Sequence, residues 1–483
     1  MKRLGRALLW ACVALVCLAR GARAESRRES FIGKEFNIDL VNGPIVGTSR
    51  VISLGGAYTA LGTGIDNAVI TPAAYAARTL WGTRWFELDV TVDYSPNLLR
   101  MVNFIDNGKR DAQKNSDLLF LGLGLGLVFG EVGIGGIVRS QDYRIGDNVN
   151  LTLILANYGA CYAFLQGQLL VGVAARTAAL TLSNTEQHTT LGSFTHSGPE
   201  VGAIVAPADV PYRVGVAVRS ALEAESEQHI PSELPFMPPK AVVLPAELQI
   251  GVAYQLGNRP LNRRWVNPND RERALRNEML VRRLQRQREQ ARSEHARGAV
   301  MQPSAAGSLP LWLQEPRDPA FWRAEGERMA NEERELRAEI ERREQRYDAS
   351  IRALSRKYLL LAADLLVVGA TDRGIGLESF LSQGKRGGEQ RPQTAGEHPS
   401  FAFRVGLEGE PIPNQLRVRV GSYLEAARFE GVAPRLHATM GGDMKLFAFD
   451  LFGLVRPFEL RLTAGLDIAT SYRNLGLSVG VWH

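Results

Sequence analysis

Residues able to do chemistry on a substrate are few in this chain, and none stands in a reactive pattern. The seven histidines are scattered over 483 residues. No H-E-x-x-H places two imidazoles on one helix face for zinc, and no G-x-S-x-G elbow presents a serine to an acyl group. Cys12, Cys17 and Cys161 lack the paired spacing of a zinc site. Gly122, Gly124 and Gly126 begin like a phosphate-cradling loop, but Leu127 stands where the next glycine is required. No catalytic residue, metal site or cofactor is therefore expected. His437 reads as a hydrogen-bonded histidine among charged neighbours.

The polar residues that do stand out are charges at alternate positions of apolar runs. From Phe458 every second residue is apolar (Phe458, Leu460, Leu462, Ala464, Leu466, Ile468), and Glu459, Arg461 and Asp467 lie between them. Leu475, Leu477, Val479 and Val481 repeat the pattern. A period of two puts one set of side chains on each face of a strand. In a transmembrane barrel the apolar face meets lipid and the charged face meets the lumen. Asp89, Arg213, Arg219, Glu247, Arg417, Arg419, Arg461 and Asp467 are on this reading lumenal, of mixed sign, and able to pair across strands. Glu87, Asp93, Arg404, Glu408, Asp443, Lys445 and Glu459 join them.

Counting such strands gives about 14, centred on 84–94, 117–128, 131–141, 149–164, 167–181, 197–206, 211–222, 242–256, 357–369, 400–409, 414–424, 435–447, 456–469 and 473–482. The links between them alternate between long polar loops and tight turns, the asymmetry of a bacterial outer-membrane barrel. The fold class expected is all-β: a transmembrane, antiparallel, up-and-down barrel with an N-terminal plug and an inserted α-helical hairpin. Strands 1–8 fall in 84–258 and strands 9–14 in 357–483.

The chain start agrees with that compartment. Lys2, Arg3 and Arg6 precede an apolar stretch from Ala7 to Ala19, and Ala22-Arg23-Ala24 follows as a small-x-small cleavage site. Residues 1–24 read as a signal peptide, which would leave Cys161 as the single cysteine, a small apolar filler within a strand.

Residues 259–356 break the alternation. Asp270 to Arg297 carries nine arginines against five acids. After a break at Pro303, Gly307 and Pro310, a second arm places Met329, Leu336, Ile340, Tyr347, Ile351, Leu354 and Tyr358 at heptad-like spacing. Two antiparallel helices, each roughly 40–55 Å long at 1.5 Å per residue, are expected in the periplasm, coiled-coil-like in character. A periplasmic or secreted protein is the partner that 270–354 would dock. Nucleic acid is excluded, because the second arm is charge-balanced and the compartment is wrong. The net charge of +6 thus says little about partners; the lipid of the outer membrane is the one the apolar faces require.

Between residues 25 and 83 the alternation is also lost. Small residues dominate in Ser49 to Ala60 and Asp66 to Ala76, and Thr71 is placed to cap a short helix beginning at Pro72. The segment is expected to have no sheet partner and to sit in the barrel mouth as a plug.

Arg50, Leu54-Gly55-Gly56-Ala57-Tyr58 and Ala60-Leu61 resemble the R-x-x-x-L-G-G-A-Y-x-A-L stretch of the FadL-like outer-membrane transporters and related PorV-type proteins. The hairpin from Val405 to Gly421 is similar to a late hairpin of those families. Thr71-Pro72-Ala73 departs from their Asn-Pro-Ala motif at its first residue. The resemblance covers the chain apart from 1–24 and 259–356. It implies passive, porin-like transport of small hydrophobic compounds such as fatty acids, gated by Leu54, Gly55, Gly56, Tyr58, Thr71, Pro72 and Ala73. Its other branch implies a secretion or assembly platform that binds protein and moves no solute.

Overall fold

In the computed structural model the described residues are 35–95, 119–298, 319–381 and 393–482, apart from 42, 46, 146–148, 185, 187–188, 226–236 and 452–454. The signal-peptide reading and the 96–118 loop lie outside them. The strands in chain order are β1 (Asn37–Asp39), β2 (Phe86–Ser95), β3 (Leu119–Phe129), β4 (Val132–Ile145), β5 (Val149–Phe164), β6 (Leu169–Asn184), β7 (Thr189–Val205), β8 (Tyr212–Arg219), β9 (Leu222–Glu225), β10 (Ala241–Leu244), β11 (Glu247–Gly257), β12 (Tyr358–Val368), β13 (Gly374–Gly376), β14 (Ser400–Ile412), β15 (Leu416–Leu424), β16 (Leu436–Leu451), β17 (Val455–Ala469) and β18 (Tyr472–Val481). Helices are α1 (Ser49–Ser53), α2 (Pro268–Gly298), α3 (Pro319–Arg352) and α4 (Leu377–Leu381).

Fourteen of these strands close into one antiparallel barrel, sealed where β18 pairs with β2. Alternation decides the facing. Leu121, Leu123 and Leu125 are exposed outward, while Gly122, Gly124 and Gly126 between them face the lumen against Thr91, Ile65 and other inner side chains. On β17, Arg461, Thr463, Gly465 and Asp467 are buried inward and Ala464 and Ile468 are exposed. Leu123 is 58% exposed; a barrel closed into a ring with such an outer face is a bacterial outer-membrane β-barrel. Aromatic residues ring the short-turn end, among them Trp85, Tyr162, Phe164, Tyr212 and Tyr254, all exposed.

Two expectations need correction. The N-terminal segment does have a sheet partner: β1 lies parallel to both β10 and β13 in a four-stranded sheet ordered β13-β1-β10-β9. The strand centred on 242–256 is two strands. Leu244 ends β10 and Glu247 starts β11, with Pro245 between them withdrawing a ladder N–H. The small sheet sits at the long-loop end and packs on the inner faces of β4 to β7.

From β1 the chain runs down the lumen through α1 and two 3-10 turns, Ile65–Val69 and Pro72–Ala76, and emerges at the short-turn end to start β2. Between β11 and β12, at that same end, stand α2 and α3, joined to each other by Arg271–Glu344 at 2.7 Å and Arg343–Glu278 at 3.3 Å. Their root is fixed to the barrel floor. The Trp265 N–H donates to the Gln166 carbonyl at 2.9 Å, and Arg356 stacks on Trp81 at 4.0 Å.

Candidate functional site: the plug and its seat

The plug is shaped by small residues on both sides of its contact with the wall. Thr48 caps α1, its side chain accepting from the Val51 N–H. The chain then reverses at Gly55 and Gly56, whose φ angles are +63° and +73°, a backbone that only glycine adopts without strain. Leu54 and Gly55 press directly on the wall. A Cβ at Gly406 would lie 2.4 Å from the Leu54 carbonyl oxygen, and one at Gly421 would lie 2.4 Å from the Gly55 nitrogen. Further round the barrel, a Cβ at Gly202 would lie 2.2 Å from Thr71 Oγ1, and one at Gly172 would lie 2.3 Å from the Pro72 oxygen and 2.7 Å from the Ala73 nitrogen. Thr71 caps the Pro72–Ala76 turn by accepting from the Ala73 N–H, so the departure from asparagine keeps a capping oxygen.

These inner-wall glycines pair across strands: Gly126 with Gly135, Gly172 with Gly202, Gly215 with Gly251, Gly406 with Gly421, and Gly441 with Gly465 and onward to Gly476. Together they form a belt bare of side chains at the level of the plug, where backbone meets backbone. Leu54, Gly55, Thr71, Pro72 and Ala73 lie against it, whereas Gly56 faces Ile45 and Arg404 and Tyr58 is held through its N–H by Asp364. Cys161, in the same belt, is buried and contacts the Ala73 carbonyl.

The lumenal charges hold the plug by its main chain. Asp89 accepts from the Ile65 N–H at 2.6 Å and Asp93 from the Ser49 N–H at 2.9 Å. Asp364 accepts from the N–H groups of Tyr58 and Thr59 at 3.1 and 3.0 Å. In the opposite sense, Arg213 donates to the Leu61 carbonyl at 2.6 Å and Arg219 donates to that of Ile70. Carboxylates take plug N–H groups and guanidinium groups take plug carbonyls, so the backbone polar groups of an irregular segment find partners without water.

Other charges pair within the wall or from wall to plug. Arg219 reaches Glu200 at 2.9 Å and Glu247, its cross-strand neighbour, at 2.7 Å; Arg176 also reaches Glu247 at 3.1 Å. Arg419 lies between Glu408, directly across the ladder at 2.6 Å, and Asp443 at 2.6 Å, with Arg417 beside both. Arg461 bonds Asp66 of the plug, which Arg50 also approaches at 3.4 Å. Burial alone would raise the Asp66 carboxyl, but these two guanidinium groups outweigh it and hold it below the usual carboxylate range. His437 is fully buried between two carboxylates, 2.8 Å from Asp467 and 2.9 Å from Glu425, and stacks on Tyr423 at 4.2 Å.

Sequence reasoning pointed the charges inward but missed Asp364, Arg176, Glu200 and Glu425. Asp364 had a signal: it is the single charge in the strand Tyr358–Val368, on the same face as Tyr358, Leu360 and Ala362.

Towards the long-loop end the lumen changes character. Leu151, Leu153, Leu155, Leu180, Leu182 and Phe194 point inward from β5 to β7 and are buried against the small sheet and α4. A crevice of about 10 Å³, lined by Leu40, Leu180, Phe194 and Val242 among others, remains between sheet and wall. A packed apolar half thus stands above an ionic, plugged half.

Barrel, belt and seat define a plugged outer-membrane β-barrel of 14 strands. Among solved structures it is similar to the CymD monoaromatic hydrocarbon channel (9% identity, TM-score 0.46, covering 91% of this chain and 97% of that one). It is also similar to the Ralstonia pickettii toluene transporter TbuX (10%, 0.42, 94% and 98%) and a Pseudomonas aeruginosa FadL homologue (7%, 0.44, 92% and 99%). No family model and no curated protein matches the chain.

Proposed function

We propose that this barrel passes small hydrophobic compounds, fatty acids among them, across the outer membrane without an energy source, its short-turn end facing the periplasm. The observation that carries this reading is the apolar half of the lumen, where Leu151, Leu153, Leu180 and Phe194 point inward and pack on the small sheet and α4. Displacing the small sheet and α4 from this wall would give a compound leaving water a place to partition, and the plug beneath touches the wall through small residues, hydrogen bonds and an ion pair. The Leu54–Tyr58 and Thr71–Ala73 segments are the gate on this reading. Uptake of labelled fatty acid into proteoliposomes tests it. Deleting residues 49–76 should raise uptake well above that of the intact protein, and uptake unchanged by the deletion would rule the gate out.

One observation favours a second reading, a platform for protein assembly. Leu280, Val281 and Leu284 on α2 and Met329 on α3 are exposed, 47–54% each, an apolar patch on otherwise charged helices. Replacing 270–354 by a short turn and comparing proteins retained by the two forms separates the readings. Loss of a specific periplasmic protein together with unaltered uptake would install the platform.

A further inference from the structure

The lipid-facing wall carries a groove of about 440 Å³ across β8, β11, β12 and β14, within the roughly 300–1,000 Å³ of sites that hold small apolar ligands. Its floor is Ala363, which stands opposite Val252 on one side and Val405 on the other. A small residue between two larger ones leaves the depression, and Leu361, Tyr212 and Tyr254 continue it toward the short-turn end. Tyr212 and Tyr254 are register partners, exposed by 43% and 45%, so two phenol rings close that end side by side.

One charge is aligned with the groove. Lys357, exposed, precedes β12, and the period of two puts it on the same face as Leu359, Leu361 and Ala363. Six residues separate Lys357 from Ala363, about 20 Å at 3.3–3.4 Å per residue. On a strand tilted by about 45° that is roughly 14 Å of depth, half of a hydrocarbon core of about 30 Å. The line from Lys357 to the groove therefore runs from the membrane surface to the midplane, with a cation at the polar end, the two aromatic rings next and the apolar groove beyond.

We propose that this groove holds one acyl chain of a phospholipid from the leaflet on the short-turn side, with the phosphate at Lys357. The chain would lie on a strip of wall whose inner surface is the glycine belt at Gly251 and Gly406, which receives Thr59 and Leu54 of the plug. The proposal is independent of the transport reading, because it concerns the outer face alone.

The test uses the full chain purified from outer membranes, passed through repeated detergent exchange, with bound phospholipid read by native mass spectrometry and phosphorus assay. The intact protein should retain one phospholipid per chain. Ala363→Phe should reduce retention roughly tenfold, and Lys357→Glu should reduce it selectively for anionic phospholipid. Ala464→Phe, which adds the same ring to the outer wall four strands away on β17, should retain the lipid. Heat-modifiable electrophoretic mobility identifies the folded fraction of each variant, and only that fraction is compared. Equal retention by Ala363→Phe and the intact protein would overturn the proposal, as would equal loss in Ala464→Phe. A dimer in light scattering that Ala363→Phe converts to monomer would also overturn it, assigning the groove to a second copy.

Discussion

The carboxylate of Asp364 holds Thr59 at two points: its Oδ2 accepts from the Thr59 N–H at 3.0 Å and from the Thr59 hydroxyl at 2.5 Å. One residue lies mid-strand in the barrel and the other in the plug, 305 positions apart. The same oxygen also takes the Tyr58 N–H and the Gln249 amide, so a single wall side chain fixes the middle of the plug.

Asp364→Ala should therefore loosen the plug and leave the barrel closed. Hydrogen bonds to a charged group are worth about 1.5–3 kcal/mol each, fewer when they share one acceptor. The expected outcome is normal heat-modifiable mobility with proteolytic cleavage near Thr59 that the intact protein resists. A cleavage pattern identical to that of the intact protein would show that Asp364 does not hold the segment.

The belt gives a second test. Gly406→Val places side-chain atoms where the Leu54 carbonyl stands, and overpacking of this kind costs about 1–3 kcal/mol. Gly409→Ala, on the same strand, places its Cβ at an ordinary 3.5 Å from the Tyr358 carbonyl oxygen. Thermal unfolding in detergent should show a lowered midpoint for the first and little change for the second. Two equal midpoints would contradict the close approach at Gly406.

Outward facing is tested by Leu123→Arg. An arginine near the bilayer midplane costs about 2–4 kcal/mol on a barrel's lipid face, so the folded fraction reaching the membrane should fall sharply. Assembly at the normal yield would place Leu123 away from lipid.

Sidedness is tested by labelling intact cells with a membrane-impermeant thiol reagent. Asn331→Cys, on the exposed surface of α3, should stay unlabelled until the outer membrane is breached. Glu397→Cys, exposed between α4 and β14, should react at once. The reverse order would turn the molecule over in the membrane.

Fourteen strands were legible because lipid imposes one rule on every one of them: alternate residues must be apolar along the whole span. Leu121 to Leu127 and Phe458 to Ile468 carry that rule without reference to any neighbour. β1 obeys no such rule. Its three residues become a strand because Val242 and Ile375, more than 200 and 300 positions away, arrive on either side of Ile38. The split at Pro245 was written in the sequence, but two apolar runs flanking one proline read as a single strand. The inward direction of Asp89, Arg213 and Arg219 followed from period two, and so did the general capacity for cross-strand pairs, but not that Arg219 would face Glu247. That several of these charges would grip the plug's main chain did not follow, since a backbone N–H is the same at every residue. Only the folded path of the plug tells which N–H comes within reach.

The path of the chain before β2 also constrains how the molecule can be built. β1 lies at the long-loop mouth, the plug fills the lumen, and the chain leaves at the opposite end to begin the strand that meets β18. A finished ring would offer this segment no entrance except lengthwise, and at Gly406 the seated Leu54 leaves no room even for a methyl group. Once β18 pairs with β2 the plug is enclosed on every side by the ring, so its departure sideways requires that seam or another to part.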